Sequence, residues 1–327
     1  MMRTQNDERK TTWARILIYL AIAFTLTYIL VLLFVLPAAK SNRTTGNILY
    51  SLMAAAAMMM PSIAVVITRL ITREGFGDHH LKFVWKKDTR RYYILAWFLP
   101  AFLTMLGGLI YFLIFRGQFD WNMSYYWNTI AKTGTDVTVE ALRSTVISQL
   151  ITAVILGPVM NCITCFGEEW GWRGYLLPKL MKLMPVIPAI LLTGVIWGLW
   201  HIPYIIAGLN YGMEYVGYPY LGFLMMTLFC VMVGIFLSYV TIKSGSCIPA
   251  IIGHGAVNSI AAVGVYFTID GGKLLFGPAI TGLVGMIPVI ITAVILTAFL
   301  ARNSTCVNET TCDTMIETSS GGDENVG

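Results

Sequence analysis

Residues 165–178 read CFGEEWGWRGYLLP, which sets two adjacent carboxylates, Glu168 and Glu169, and a guanidinium, Arg173, in a chain otherwise suited to lipid. An ionised side chain at the middle of a bilayer costs at least ~2.5–3.5 kcal/mol even on the mildest insertion scales. The residues around this stretch decide the fold, and the charges within it need a purpose that repays their cost.

Working outward, 57% of the residues are hydrophobic, only 12% are charged, and the mean hydropathy is +0.70. A soluble domain carries roughly one-quarter charged residues, so the composition indicates an integral membrane protein. A membrane-spanning helix needs ~20 mostly apolar residues, and about eight such runs are present. They cover 14–36, 48–71, 92–115, 144–177, 186–207, 221–242, 248–268 and 278–300. The runs are continuous and lack the alternation of a lipid-facing β-strand, which predicts an all-α, multi-pass membrane helix bundle. The first run ends in LPAAKS, a sequence with small residues like those of a cleavage site, but it is too long for a signal-peptide core of ~7–15 residues and is read as a retained span.

Lys and Arg are unevenly placed. Sixteen of the 22 fall on the side of the N-terminus, the 69–91 segment and the 173–185 segment, and six fall on the other side. The positive-inside rule then predicts cytoplasmic N- and C-termini in a cell membrane. Anionic lipid accounts for the net charge of +5 without a nucleic-acid partner.

The expected organisation is a cytoplasmic segment at 1–13, one transmembrane domain at 14–301 with its core at 144–268, and a disordered cytoplasmic tail at 302–327. The long 116–143 loop, rich in Trp and Tyr, is expected to lie partly in the membrane interface. His79 and His80 lie in a basic loop with no further ligand nearby in the sequence, and read as solvated rather than metal-binding. Cys162 and Cys165 form a C-x-x-C inside an apolar run and read as small core-filling residues, while Cys306 and Cys312 fall in the tail. Sequons at Asn42, Asn122, Asn303 and Asn308 match too easily by chance to decide anything.

Strongly ionisable groups within the spans cluster in three places: GEEWGWRG, WGLWHIP with His201, and GHGAVNS with His254 and Asn258. On a helix Glu169 and Arg173 share a face and form an ion pair, whereas Glu168 is rotated about 100° away and lacks such a partner. A low-dielectric site pushes an unpaired carboxylate toward neutrality, the range in which a general base works, so Glu168 is the candidate base. His254 and Asn258 also share a face, so they could donate to a developing oxyanion or supply a nitrogen and an oxygen to a metal. Glycines flanking each cluster let helices approach closely and predict that the three segments meet around one cavity. At about 1.5 Å per residue from the N-terminal side, Glu168 and His254 come out about 10–15 Å deep and His201 deeper, a mismatch the sequence leaves open.

Together the segments EEWGWR (Glu168, Glu169, Arg173), WGLWH (Trp197, His201) and HGAVN (His254, Asn258) resemble the CAAX prenyl endopeptidase and bacteriocin-processing family of intramembrane proteases. That family usually has Phe where Trp197 stands, a departure read as one of packing rather than chemistry. The resemblance implies an eight-helix core, a catalytic cavity open toward the cytoplasm, and a glutamate that activates water for hydrolysis of a peptide or protein substrate, lipidated or not. It leaves open whether His201 and His254 ligate a divalent metal such as zinc, or whether Glu168 and His201 hold the water while His254 and Asn258 steady the oxyanion. Two other readings stand beside it: a non-catalytic immunity or scaffold protein of the same family, and a transporter or proton relay, which the absence of matching halves disfavours. Substrate identity and oligomeric state are not legible.

Overall fold

A computed structural model describes residues 2–40, 44–273 and 275–304. Among the described residues there are helices, turns and two isolated bridges but no strand. Among the described residues six helices are long and apolar enough to cross a membrane: α1 (Gln5–Ala39), α2 (Ile48–Thr72), α3 (Arg90–Ile114), and three further along the chain. Between α3 and those three lie α4 (Val139–Ile155) and α5 (Cys162–Gly171). The later spans are α6 (Val186–Ile206), α7 (Tyr220–Ser244) and α8 (Ile248–Tyr266), and the shorter α9 (Ile287–Ser304) follows. The chain is an integral membrane protein.

Two expected spans are shaped differently from a single rod. The 144–177 run breaks at Gly157–Pro158, because proline has no N–H to continue the ladder and its ring clashes with the preceding turn. The helix restarts as α5, loosens into a π-turn over Trp172–Leu176, and closes with Leu177–Met181. The last run starts not at 278 but at Ile287, and the residues before it form turns. At the other end the first helix already begins at Met2, so the helix extends back through the polar residues that precede the apolar run. Arg302 still belongs to α9, whereas the rest of the expected tail, with Cys306, Cys312 and the Asn308 sequon, lies outside the described residues, as do Asn42 and the side chain of Asn303.

The outward faces are apolar, with Leu17, Leu52, Leu113, Ile163, Leu224 and Ile295 exposed. This is the pattern lipid requires, and the polar and aromatic bulk turns inward: Trp172, Trp197, Trp200, Arg69 and Arg173 are among the largest fully buried side chains. Glycine permits a close crossing of α6 and α7, since a Cβ at Gly198 would lie 2.5 Å from the Thr227 Cα and one at Gly194 2.7 Å from the Val231 Cα. This GxxxG pair seats α6 directly on the backbone of α7.

The two ends of the bundle are distinct. At one end, here the Glu74 end, Glu74 pairs with Lys179, accepts from the Tyr175 hydroxyl at 2.9 Å and lies 3.7 Å from Arg15. Arg69 donates to Asp78 at 2.7 Å, which holds the Asp78 carboxyl below the usual range against the opposing effect of burial. The Trp170 indole donates to the His79 carbonyl at 3.0 Å and the Cys247 amide to the His80 carbonyl at 2.9 Å. The 73–89 loop is therefore docked on α5 and α8 rather than simply solvated, and burial pushes His80 down to about 4, keeping it neutral. At the other end, the Asn210 end, the Asp120 amide donates to the Phe267 carbonyl at 2.9 Å and the Tyr211 hydroxyl to the Thr281 carbonyl at 3.0 Å.

Candidate active site

Glu168 and Glu169 are adjacent on α5 and both buried, yet their surroundings differ. Glu169 Oε1 accepts from Arg173 Nη1 at 2.9 Å and lies 2.9 Å from His254 Nδ1, so one oxygen joins α5, the π-turn and α8. Sequence spacing supplied the Arg173 pair; the His254 contact comes from another helix and could not be read from spacing. Among the described residues Glu168 makes no such ion pair. Its Oε2 accepts from the Trp197 indole N–H at 2.6 Å.

Trp197 thus does more than pack. Its ring also lies 4.4 Å from the Arg173 guanidinium carbon and meets the His254 ring edge-on at 5.2 Å between centroids. A phenylalanine there would keep the ring and lose the donor. Trp197→Phe is expected to leave the fold intact and lower the turnover of any Glu168-dependent reaction by roughly 10- to 100-fold, the worth of a hydrogen bond to a charged group, with KM little changed. Steady-state kinetics beside a melting curve checks this.

His201 ends the straight part of α6, where its Nδ1 lies 2.9 Å from the Trp197 carbonyl. A carbonyl only accepts, so this nitrogen carries the proton and Nε2 keeps its lone pair. His254 Nδ1 is likewise occupied, by Glu169. Asn258 is exposed, with its amide only in long contact with Cys165 Sγ at 3.6 Å. Cys162 and Cys165 are both free thiols.

Glu168, His201, His254 and Asn258 all line one cavity of about 320 Å³. The cavity also touches Asn161, Thr164, Trp200, Tyr204, Leu209 and Asn210. Of these, Tyr204 escapes sequence reasoning although it lies three residues past His201 on the same face; it is buried, and its hydroxyl has no partner. Asn161 bridges helices by donating to Ser259 Oγ at 3.0 Å.

Residues 146–260 match the family model described as type II CAAX prenyl endopeptidase Rce1-like. This Rce1-like segment is about a third of the chain and contains all three motifs. The family that this model describes is one of intramembrane proteases. No curated protein matches the chain.

His201 and His254 are the cavity's nitrogen donors for a metal. Two imidazoles whose Nδ1 atoms are held by a carbonyl and a carboxylate have the outer partners that metal-bound histidines have. However, no group of three His, Cys, Asp or Glu side chains among the described residues is close enough to hold an ion, and a catalytic zinc needs three protein ligands. His, Cys, Asp and Glu side chains among the described residues therefore do not by themselves complete such a centre.

The lining also bears on depth. Lys179 marks the Glu74 end, and Glu168 lies eleven residues before it, about 16 Å at 1.5 Å per residue. His201 lies farther from that end because it sits near the far end of α6, and the cavity bridges the difference, since its lining includes both Glu168 and Leu209 and Asn210. No residue of the 73–89 loop or of 172–186 lines it.

Proposed function

We propose that the protein is an intramembrane endopeptidase in which Glu168 is the general base. The observation that carries this reading is the convergence of Glu168, His201, His254 and Asn258 on one cavity, with Glu168 held by a neutral donor rather than a cation. Water bound between Glu168 Oε1 and His201 Nε2 gives its proton to Glu168, and the hydroxide attacks the scissile carbonyl carbon. His254, its ring charge offset by Glu169, donates from Nε2–H to the tetrahedral oxyanion, and Asn258 donates from Nδ2. The C–N bond then breaks and Glu168 returns the proton to the leaving amine. Glu169 and Arg173 position His254 and the helix that carries the base.

The experiment is cleavage by purified protein in liposomes, offered a prenylated peptide and an unprenylated transmembrane-segment peptide, with new termini read by mass spectrometry. Cleavage that persists after exhaustive chelation is the expected result. Cleavage abolished by chelation and restored by zinc would overturn the metal-free route, and Glu168-dependent solute flux without cleavage would overturn the protease reading.

A further inference from the structure

We propose that the cavity receives its substrate from the membrane face opposite the arginine- and lysine-rich end, so the substrate is a peptide segment on the non-cytoplasmic face, cut at an internal bond. This rests on the protease reading and adds the side from which the chain is presented.

Three observations carry it. The cavity's lining runs from Glu168 to Leu209 and Asn210, where the 207–219 connection sits beside the 267–286 segment through Tyr211 and Thr281. Beneath Glu168 the Glu74 end is closed: Trp170, two residues on, is tied to His79, and Lys179 and Tyr175 are both held by Glu74. A peptide coming from that end would have to displace these contacts, whereas none of them obstructs the Asn210 end. Finally, sixteen of the 22 basic residues belong to the closed end, and translocating that excess is what the positive-inside rule forbids. Closed end inside places open end outside.

The lining narrows the substrate further. Apart from Glu168 and the two histidines it is uncharged, and it holds no Lys or Arg that would receive a terminal carboxylate. Extended backbone is accommodated by Asn161, Thr164, Asn210 and Asn258, and the aromatic wall of Trp200 and Tyr204 suits an apolar side chain. This favours internal cleavage of an uncharged stretch at the outer leaflet over trimming of a cytosolic tail.

The test separates sidedness from catalysis. Val216→Cys and Asn210→Cys on one loop, and Lys87→Cys on the docked loop, are each made with Cys306→Ser and Cys312→Ser. They are treated with a membrane-impermeant maleimide in intact cells and in inside-out vesicles, with the label located by mass spectrometry. Labelling of Val216→Cys and Asn210→Cys in intact cells, and of Lys87→Cys only in inside-out vesicles, is expected. The reverse pattern overturns the proposal, and so does labelling of Val216→Cys from outside with Asn210→Cys protected on both faces. Labelling requires no turnover, so a wild-type protein that cleaves nothing defeats the protease reading while this result still reports the cavity's side. In oriented proteoliposomes the transmembrane-segment peptide should be cleaved when supplied on the Val216 side, and cleavage only from the Lys87 side would also overturn it.

Discussion

Glu168→Gln should lower kcat/KM by about 10²- to 10⁴-fold, the usual contribution of a positioned general base, while leaving the protein folded. Glutamine retains a carbonyl oxygen that can accept the Trp197 indole hydrogen bond, so the geometry seen at 2.6 Å survives the change. What it loses is the ability to take a proton from water. The loss should appear in kcat rather than KM, since the remainder of the cavity is untouched. Wild-type and variant are compared for cleavage in liposomes and for melting temperature in detergent, and equal cleavage by both would remove Glu168 from the mechanism.

The second large effect is on stability. Glu169 and Arg173 have no exposed side-chain surface and lie 2.9 Å apart. Removing one member of a buried pair leaves the other charged without compensation and typically costs about 3–5 kcal/mol. Arg173→Met is therefore expected to destabilise the bundle severely, with Glu169 left to His254 alone. The double variant Glu169→Leu with Arg173→Met should recover much of that loss, because replacing both charges by apolar groups of similar volume is often close to neutral. It should not recover cleavage, because His254 then lacks the carboxylate on its Nδ1. Denaturation midpoints and cleavage rates on the three proteins distinguish the roles, and a double variant as active as wild type would assign the pair to stability alone.

Much of the architecture was legible because lipid leaves few options. Runs of about 20 apolar residues must satisfy their own backbone hydrogen bonds, and only helices do so within one segment. The breaks were less legible. Pro158 interrupts one run and the last helix begins at Ile287, and each is a local backbone event inside an apolar stretch whose hydropathy does not change there.

The candidate site divides in the same way. Spacing gave the Glu169–Arg173 pair, since residues four apart on a helix are neighbours. It gave nothing of the Trp197 hydrogen bond to Glu168 across 29 positions, nor of the Glu169–His254 contact across 85. Those depend on how α5, α6 and α8 pack, and the same packing leaves the Tyr204 hydroxyl unpartnered at the cavity.

The sequence by itself determined that the chain lives in lipid as helices, which face carries the basic residues, and which few polar side chains are costly enough to require a purpose. Only the tertiary structure decided that those side chains share a cavity with Leu209 and Asn210, and that the 73–89 loop is docked on α5 and α8. The reason is physical: hydropathy and charge act residue by residue along the chain, whereas enclosure of a space depends on helices brought together at glycines and tied by hydrogen bonds between distant positions.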